Sequence, residues 1–422
     1  MPKLSLPKPR IFISHSAHEP EAENVRLALV KCLNRNFDVK TDKELLTGGQ
    51  DFRENIFNWI NQAHGAVILF SSSALTSPWV KTEASILAWR RVLDKTASFQ
   101  LVPVLLSPVT RADIEAKEFS PMRLATLQLV RSDDPVKICQ DVRAGLQPLL
   151  KPALPETPFE GLIRQVALLL KKVTAAELLS AAYAMSINVS NWTKEEEYPT
   201  LLAKEMLEHG LPKAVKGIRE LDNFLDADAT ETLIELIAPV WVSLAAASRI
   251  PQIASMQDTT LRKLWVNGGD DEYAEFTAGH FVRRACCRPP QTCWPVLLVP
   301  PDSGEDDTGH YKRVIKESLK IRLVRNESAS EELLREVLAR KERDKEPVFV
   351  AFTPPGPDRD VIAALRDEFP TLTFFILTGY QAQAVPSPDM QFLQPELKAE
   401  DELAAYAEYI NAISYRQDSR RV

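Results

Sequence analysis

Short, wholly apolar runs recur along the first hundred residues of the chain. Three of them are Ile11–Ile13, Ala66–Phe70 and Leu101–Leu106, and none alternates apolar with polar residues. Strands that are apolar on both faces are typical of a parallel sheet covered by helices. Between these runs the apolar residues recur every three or four positions, which predicts two amphipathic helices; the positions are Val25, Leu29 and Leu33, then Phe52, Ile56, Trp59, Ile60 and Ala63. The order of strands and helices therefore predicts an open α/β sheet.

The pattern changes twice along the rest of the chain. Prolines at every third position, Pro152, Pro155 and Pro158, predict a boundary that no helix crosses. From Phe159 to about Arg249 the apolar residues keep a helical period and strand-like runs vanish. The last third again predicts strands, at Val296–Val299, Ile321–Val324, Val348–Phe352 and Leu372–Leu377. We therefore predict three domains: an α/β domain at 1–150, a helical bundle at 151–265 and a Rossmann-like α/β domain at 266–422.

Composition narrows the classes of partner. The net charge of −7 argues against nucleic acid or an anionic membrane as the main partner. The best candidate for a membrane span, Leu233–Ala247, is interrupted by Glu235 and Pro239. Five cysteines, an odd number without repeated spacing, are typical of a reducing cytosol. We therefore expect a soluble cytoplasmic protein.

One cluster of cysteines and a histidine is a candidate zinc site. Its candidates are Cys286, Cys287 and Cys293, with His280 nearby. Adjacent cysteines do not readily share one tetrahedral ion, and no second Cys-x-x-Cys pair supplies the remaining ligands. We therefore expect no metal and interpret these side chains as structural.

Polar residues follow several of the predicted strands and are candidates for a binding site. Ser14, His15, Asp42 and Ser71 all stand where a strand ends. Ligands bind open parallel sheets in a crevice at the carboxyl ends of the strands. After Ser71 a predicted helix carries Trp79 and Glu83, whose spacing of four places an aromatic ring and a carboxylate on the same helix face. This segment is where we expect the chemistry.

Four segments, in order and at the right spacing, resemble a TIR domain. Arg10–His15 is similar to the first strand of the family, Asp38–Asp42 to the second, Leu45–Phe52 to the BB loop, and Ser71–Glu83 to the end of the third strand and the helix after it. The resemblance covers about the first 150 residues and implies a flavodoxin-like parallel sheet. Some TIR domains only assemble as scaffolds, whereas others cleave NAD+ between nicotinamide and ribose and have a glutamate at the position of Glu83.

The resemblance also implies roles for individual residues. Glu83 would be the catalytic carboxylate, Trp79 would pack against a ring of the dinucleotide, and Ser14, His15, Asp42 and Ser71 would orient its sugar or phosphate oxygens. The BB-loop residues Leu45, Gly48, Gly49 and Phe52 would serve self-association, with NAD+ as substrate and no other cofactor. Three simpler interpretations stay open: Glu83 complementing a helix dipole, Trp79 as a core residue and Asp42 as a loop cap.

The last third resembles a P-loop nucleotide-binding fold whose site is missing. Taking Val296–Val299 as its first strand, the next segment, Pro300–His310, lacks the Gly-Lys-[Ser/Thr] ending that holds phosphates, and its Glu305, Asp306 and Asp307 would repel them. The third strand ends in Thr353–Pro355, without the Asp that would hold magnesium. The region thus resembles a degenerate, inactive STAND-type sensor domain.

Two functional hypotheses follow for the whole chain. The helical region resembles the adaptor modules of bacterial conflict systems, or is a plain spacer. The first hypothesis is an NAD+-cleaving effector of prokaryotic antiphage defence, active as a homo-oligomer or filament through TIR–TIR contacts, with the rest of the chain sensing a trigger. The second is a noncatalytic TIR scaffold or adaptor.

Overall fold

The computed structural model describes eleven stretches of the chain. They are residues 8–42, 52–93, 98–115, 119–150, 156–256, 258–270, 272–289, 292–301, 307–380, 391–393 and 397–419. The chain divides into two compact units, Met1–Gly161 and Leu162–Val422.

A five-stranded sheet forms the centre of the first unit. Its strands lie in the order β2-β1-β3-β4-β5 and every neighbouring pair is parallel. This is the strand order of flavodoxin-like folds. The bounds are β1 Arg10–Ser14, β2 Asp38–Thr41, β3 Gly65–Phe70, β4 Gln100–Leu105 and β5 Val130–Arg131. The apolar runs at the start of the chain are thus confirmed as parallel strands, and every residue of the central strand β3 is buried.

The helices of the first unit cover this sheet. Their bounds are α1 Pro20–Leu33, α2 Phe52–Gln62, α3 Ser72–Thr76, α4 Pro78–Leu93, α5 Arg111–Glu115 and α6 Pro135–Leu146. The predicted apolar stripe of α1 is confirmed, because Val25, Leu29 and Leu33 are buried against the sheet together with Val142 of α6.

A disulfide between Cys32 and Cys139 was not expected from the sequence. It joins α1 to α6, whose Cα atoms at these two positions are 6.6 Å apart. The two residues are 107 positions apart in sequence and carry no spacing signal. The number and spacing of the five cysteines gave no sign of this pair, because only the packing of the two helices brings the two sulfur atoms together.

The second unit begins with helices and continues with a second sheet. The helices before that sheet are α7 Pro158–Leu170, which starts in the first unit, α8 Ala175–Ala184, α9 Tyr198–Glu208, α10 Leu211–Leu221, α11 Ala227–Ile237 and α12 Leu244–Ala254. Among the described residues no single helix has the length and apolar composition to cross a membrane, although one bent pair, Ala227–Trp241 with Leu244–Ala254, has both when taken together.

The sheet of the second unit has five parallel strands in the order β10-β6-β9-β8-β7. Its strands are β6 Lys263–Val266, β7 Val296–Val299, β8 Phe349–Phe352, β9 Thr373–Leu377 and β10 Gln391–Phe392. The remaining helices are α13 Ala274–Cys286, α14 Asp307–Leu319, α15 Glu331–Arg343, α16 Arg359–Glu368 and α17 Ala399–Ser419.

Two of the strand predictions for this sheet need correction. Residues Lys320–Val324 form a turn of π-helix that continues α14, so the predicted strand Ile321–Val324 was wrong. Ile321 is about half exposed there, which a strand inside a parallel sheet would not allow. The first strand of the sheet is β6, which precedes the predicted first strand Val296–Val299 and had escaped notice.

Candidate functional site

The carboxyl ends of β1 and β3 lie side by side and form one wall of the candidate site. In the parallel register Ser14, the last residue of β1, is opposite Ile68 of β3. Ser14, His15 and Ser16 are all buried although they are polar. Buried polar side chains need partners, so this concentration at one strand end indicates a built polar site rather than core packing.

Two serines cap consecutive helices, α3 and then α4, which carries Glu83. Ser71 ends the segment after β3 and caps α3, its Oγ accepting the backbone N–H of Ala74 at 3.3 Å. Ser77 precedes α4 and its Oγ accepts the N–H of Val80, also at 3.3 Å. Serine is favoured at helix N-caps for this reason. Both serines of the predicted motif therefore act in the structure as helix caps.

Glu83 lies in the second turn of α4 and is only 1% exposed. Its Oε2 accepts a hydrogen bond of 2.5 Å from the Oγ of Ser14, which joins α4 to the end of β1. The helix dipole acts mainly within the first turn, whereas Glu83 lies in the second.

Burial dominates the electrostatics of Glu83. Removal from water raises the pKa of its carboxyl well above the ordinary value, and the negative charge of Asp42 raises the pKa further. The hydrogen bonds donated by Ser14 and by the side chain of Trp79 act in the opposite direction and lower the pKa. A positive charge close to a carboxyl in such surroundings would strongly stabilise its ionised form.

Trp79 connects the carboxylate to an aromatic surface. Its ring stacks on that of Phe57 from α2, with centroids 5.5 Å apart and planes 22° from parallel. The Trp79 side chain is partly exposed, and its N–H donates to Glu83. This geometry is compatible with the predicted contact to a ring of the substrate.

His15 lies between two carboxylates. Its Nδ1 is 3.5 Å from Oδ1 of Asp42 and its Nε2 is 3.4 Å from Oε2 of Glu23. Glu23 is held in turn by two hydrogen bonds of 2.9 Å from Arg26. Asp42 directly follows β2, so the site collects side chains from the carboxyl ends of three neighbouring strands.

Two acidic residues at the start of α1, Glu19 just before it and Glu23 within it, take part in the site and were missed from the sequence. Glu23 contacts His15, and Glu19 accepts the backbone N–H of Ser73 at 2.6 Å, which ties the start of α1 to α3. The only sequence signal was the acidic stretch that opens α1, and acidic residues are common in first helical turns for other reasons.

The predicted BB-loop residues fall outside most of what the structure describes. Leu45, Gly48 and Gly49 lie outside the described residues, and Phe52 is the first residue of α2, with no description of its side chain. The predicted role of this segment in assembly therefore stays a prediction.

In the second unit the loop that follows the first strand is not the one predicted. After β6 the chain continues as Asn267–Tyr273 into α13, and this loop contains neither Lys nor Arg. The predicted segment Pro300–His310 follows the second strand instead, with 302–306 outside the described residues. The loop after β6, like Pro300–His310, therefore lacks the lysine that would bind phosphate. Strand β8 is followed by Thr353 rather than by Asp.

The cysteines and the histidine near α13 are engaged in other ways. Cys286 and Cys287 are buried and form no disulfide, and His280 accepts a hydrogen bond of 2.8 Å at Nδ1 from the indole of Trp241. Within the described part of the chain no group of three or more His, Cys, Asp or Glu side chains could hold a metal ion.

Comparison with known proteins agrees with the topology and strand-end residues of the first unit. No curated protein matches the chain. A family model described as TIR domain matches residues 11–137. That segment includes all five strands of the first sheet apart from the first residue of β1, together with Ser14, His15, Asp42, Ser71, Trp79 and Glu83. This part of the chain is therefore a TIR domain.

Proposed function

We propose that the TIR domain is an NAD+ glycohydrolase in which Glu83 is the catalytic carboxylate. It would break the bond between nicotinamide and ribose and give ADP-ribose or a cyclic ADP-ribose isomer. The observation that carries this proposal is the Glu83 carboxyl itself, 1% exposed, hydrogen-bonded by Ser14 and Trp79, and situated where parallel strands end.

The chemistry explains why one carboxylate can be enough. Ordinary glycosides need a second carboxyl to protonate the leaving group. Nicotinamide in NAD+ is already cationic and leaves as a neutral molecule, because the electrons of the C1′–N bond move onto its ring nitrogen. The positive charge then passes to the ribose, and a carboxylate in a water-poor cleft stabilises that charge strongly. Water at C1′, with loss of a proton, gives ADP-ribose; the adenine ring at C1′ gives the cyclic isomer.

The remaining residues would position the substrate and the Glu83 carboxylate and would not react themselves. The exposed part of the Trp79 ring would lie against a flat ring of the dinucleotide, and its N–H keeps the Glu83 carboxylate in place. Ser14 would hold the same carboxylate from the other side, while Asp42 and His15 would receive ribose or phosphate oxygens. Ser71 would act mainly through the cap of α3.

For the whole chain we propose a regulated cytoplasmic effector of prokaryotic antiphage defence. TIR domains commonly self-associate, so we expect TIR–TIR contacts in a homo-oligomer to activate the enzyme. The large second unit, with helices and a sheet whose first loop lacks a phosphate-binding lysine, supports a controlling role, in the manner of a degenerate STAND-type sensor, better than an enzymatic one.

The test is release of nicotinamide from NAD+ by the purified full-length protein at high protein concentration. Glu83→Gln keeps the size and one acceptor atom but removes the charge, and we expect a loss of at least ~100-fold in rate, as is usual when a charge aimed at the transition state is removed. The matched control is Glu115→Gln, which removes the same charge from an exposed position of α5.

The scaffold hypothesis gives the opposite result. A pure scaffold would release no nicotinamide at any concentration, and Glu83→Gln would leave its self-association unchanged. Equal turnover of wild type and Glu83→Gln, with contaminating enzyme removed, would also contradict the proposed role of Glu83.

A further inference from the structure

A second buried carboxylate lies in the second unit, outside the TIR domain. Glu402 belongs to the first turn of α17, and its side chain is 0% exposed. An ionised carboxyl in such a position is strongly destabilising unless several donors surround it. The donors around Glu402 therefore show what this position is built for.

Three parts of the unit donate to the two oxygens of Glu402. The backbone N–H of Gly269 points at both, at 3.1 Å from Oε1 and 3.2 Å from Oε2. The hydroxyl of Thr277 donates to Oε1, and the hydroxyl of Tyr380 donates to Oε2 at 2.5 Å. Burial first, and then the contact with Glu402, raise the pKa of Tyr380, so its proton remains available for donation.

These donors meet at the point of the sheet where a ligand is expected. Gly269 follows β6 and Tyr380 follows β9, and these two strands are parallel neighbours. From β6 the chain passes to β7 on one edge of the sheet, whereas from β9 it passes to β10 on the other. Ligands of open α/β sheets bind at such a switch point, outside the carboxyl ends of the strands. Thr277, in the first turn of α13, adds the anion-attracting end of a helix.

The surrounding backbone is shaped to the arrival of α17. Gly269 has a φ of +68°, a conformation that glycine adopts without strain and that turns its N–H toward the carboxylate. A Cβ on Gly268 would come within 2.6 Å of Cδ2 of Leu397, just before α17. The segment that carries Glu402 is thus packed directly onto the loop that follows β6.

We propose that the second unit contains an anion site at the ends of β6 and β9, and that Glu402 is its internal ligand. The carboxylate occupies the position that a small external anion, a carboxylate or a phosphate group, would otherwise take. The same contact latches the first turns of α17 over the crevice. Opening the site to an anionic ligand then requires the release of the first turns of α17, which makes residues 399–405 the moving part of the unit.

The later part of α17 is attached independently, so loss of the latch does not free the whole helix. The ring of Tyr406 packs edge-on against Tyr273 with centroids 4.5 Å apart, and the hydroxyl of Tyr409 donates to Glu235 at 2.6 Å. Removing the Glu402 carboxylate should therefore loosen residues 399–405 and leave the rest of the helix in place.

The experiment is chemical rescue of the full-length Glu402→Ala variant with acetate or formate. Melting temperature and amide hydrogen exchange are measured in sodium acetate and in sodium chloride at equal pH and ionic strength. We expect the melting temperature to fall by several degrees and amide exchange to become faster in the first turns of α17. Acetate should reverse both in a saturable manner, and chloride should not.

Two controls separate the anion site from a general loss of packing. Wild type should show no specific response to acetate. The same holds for Glu400→Ala, which removes an exposed carboxylate from the same turn of α17. Should Glu402→Ala fail to fold, Glu402→Gln decides: the proposal expects faster exchange at 399–405, because the charge is lost while the shape is kept. Exchange equal to wild type in Glu402→Gln, or a folded Glu402→Ala that acetate stabilises no more than chloride, would overturn the proposal.

Discussion

Glu83 is a residue whose surroundings favour its neutral form while its proposed task needs its charged form. Burial and the charge of Asp42 raise the pKa of its carboxyl, and only the hydrogen bonds from Ser14 and Trp79 act against them. A cationic substrate entering the cleft shifts this balance toward the carboxylate, because an opposite charge within a few ångströms stabilises the ionised form. The surroundings of Glu83 are thus suited to a positively charged substrate.

The first residue-scale prediction concerns stability. The pKa of Glu83 is higher in the folded than in the unfolded state, so the stability it contributes is complete below the unfolded pKa and is lost as pH rises through the folded pKa. Glu83→Gln cannot ionise and should therefore gain stability relative to wild type as pH rises from 5 to about 8. The measurement is denaturant unfolding of both proteins across this range. A constant difference between them at all pH values would contradict the prediction.

The second residue-scale prediction concerns the acid limb of the activity profile. The charge of Asp42 raises the pKa of Glu83, so Asp42→Asn should lower that pKa. The decline of kcat/KM at low pH should then move to lower pH, even though the maximal rate also falls if Asp42 holds the substrate. Asp141→Asn, at an exposed position of α6, serves as the control and should leave the limb in place. A limb that moves upward, or equally in both variants, would exclude this electrostatic role.

At the scale of elements, local pattern predicted most of the first unit and part of the second. The apolar runs of β1, β3 and β4 could belong only to a covered sheet, and the structure confirms them. A run of only four apolar or basic residues fits a strand or a helix equally well. Ile321–Val324 is such a run, predicted as a strand and found as part of a π-helix. Strand β6, Lys263–Val266, is equally short, and its strand neighbours are distant in sequence.

In the candidate site, too, local pattern predicted some residues, whereas others depend on packing between distant segments. Ser14, His15, Asp42 and Ser71 could be predicted because carboxyl ends of parallel strands meet at one edge of a sheet. The contact of Glu23 with His15 and the pairing of Cys32 with Cys139 depend on how α1 packs, and no local signal encodes that packing. Glu402 was missed for a similar reason, since its donors are 22 to 133 residues away in sequence.

An element-scale prediction concerns the start of α4. The Ser77 side chain caps this helix by accepting the N–H of Val80 and so fixes the turn that presents Trp79 and Glu83. Ser77→Ala should cost about 1 kcal/mol of unfolding free energy, whereas Ser77→Asp should retain most of it. Urea unfolding measures both variants, with Ser72→Ala, at an exposed residue of α3, as the control. If Ser77→Ala and Ser77→Asp are equally destabilised, the cap is not what holds this helix end.

At the scale of the whole molecule, both parallel sheets have polar groups at the carboxyl ends of their strands, but the side chains that meet these groups differ. In the TIR domain the crevice holds a buried carboxylate beside a partly exposed aromatic ring. In the second unit the corresponding crevice is filled by the Glu402 side chain of the same chain. This difference between the two sheets is compatible with the proposed division between an effector and its control.

The proposed control makes activity depend on assembly. Gly48 and Gly49 lie outside the described residues, in the segment that resembles a BB loop, and the resemblance predicts that this loop lets a neighbouring TIR domain complete the cleft. Activity should therefore rise with protein concentration more steeply than in proportion, because the competent cleft exists only in the oligomer. Replacing both glycines with valine should lower specific activity, although neither touches the bond that breaks.

Specific activity measured against protein concentration, with oligomer size followed by light scattering, decides between assembly and a self-sufficient monomer. Gly279→Ala is the matched control, since a Cβ at that position of α13 meets nothing within 4 Å and should change neither quantity. Specific activity that stays constant from the monomer range into the oligomer range would contradict activation by assembly. A double valine variant that remains monomeric yet fully active would do the same, because the cleft would then be complete within one chain.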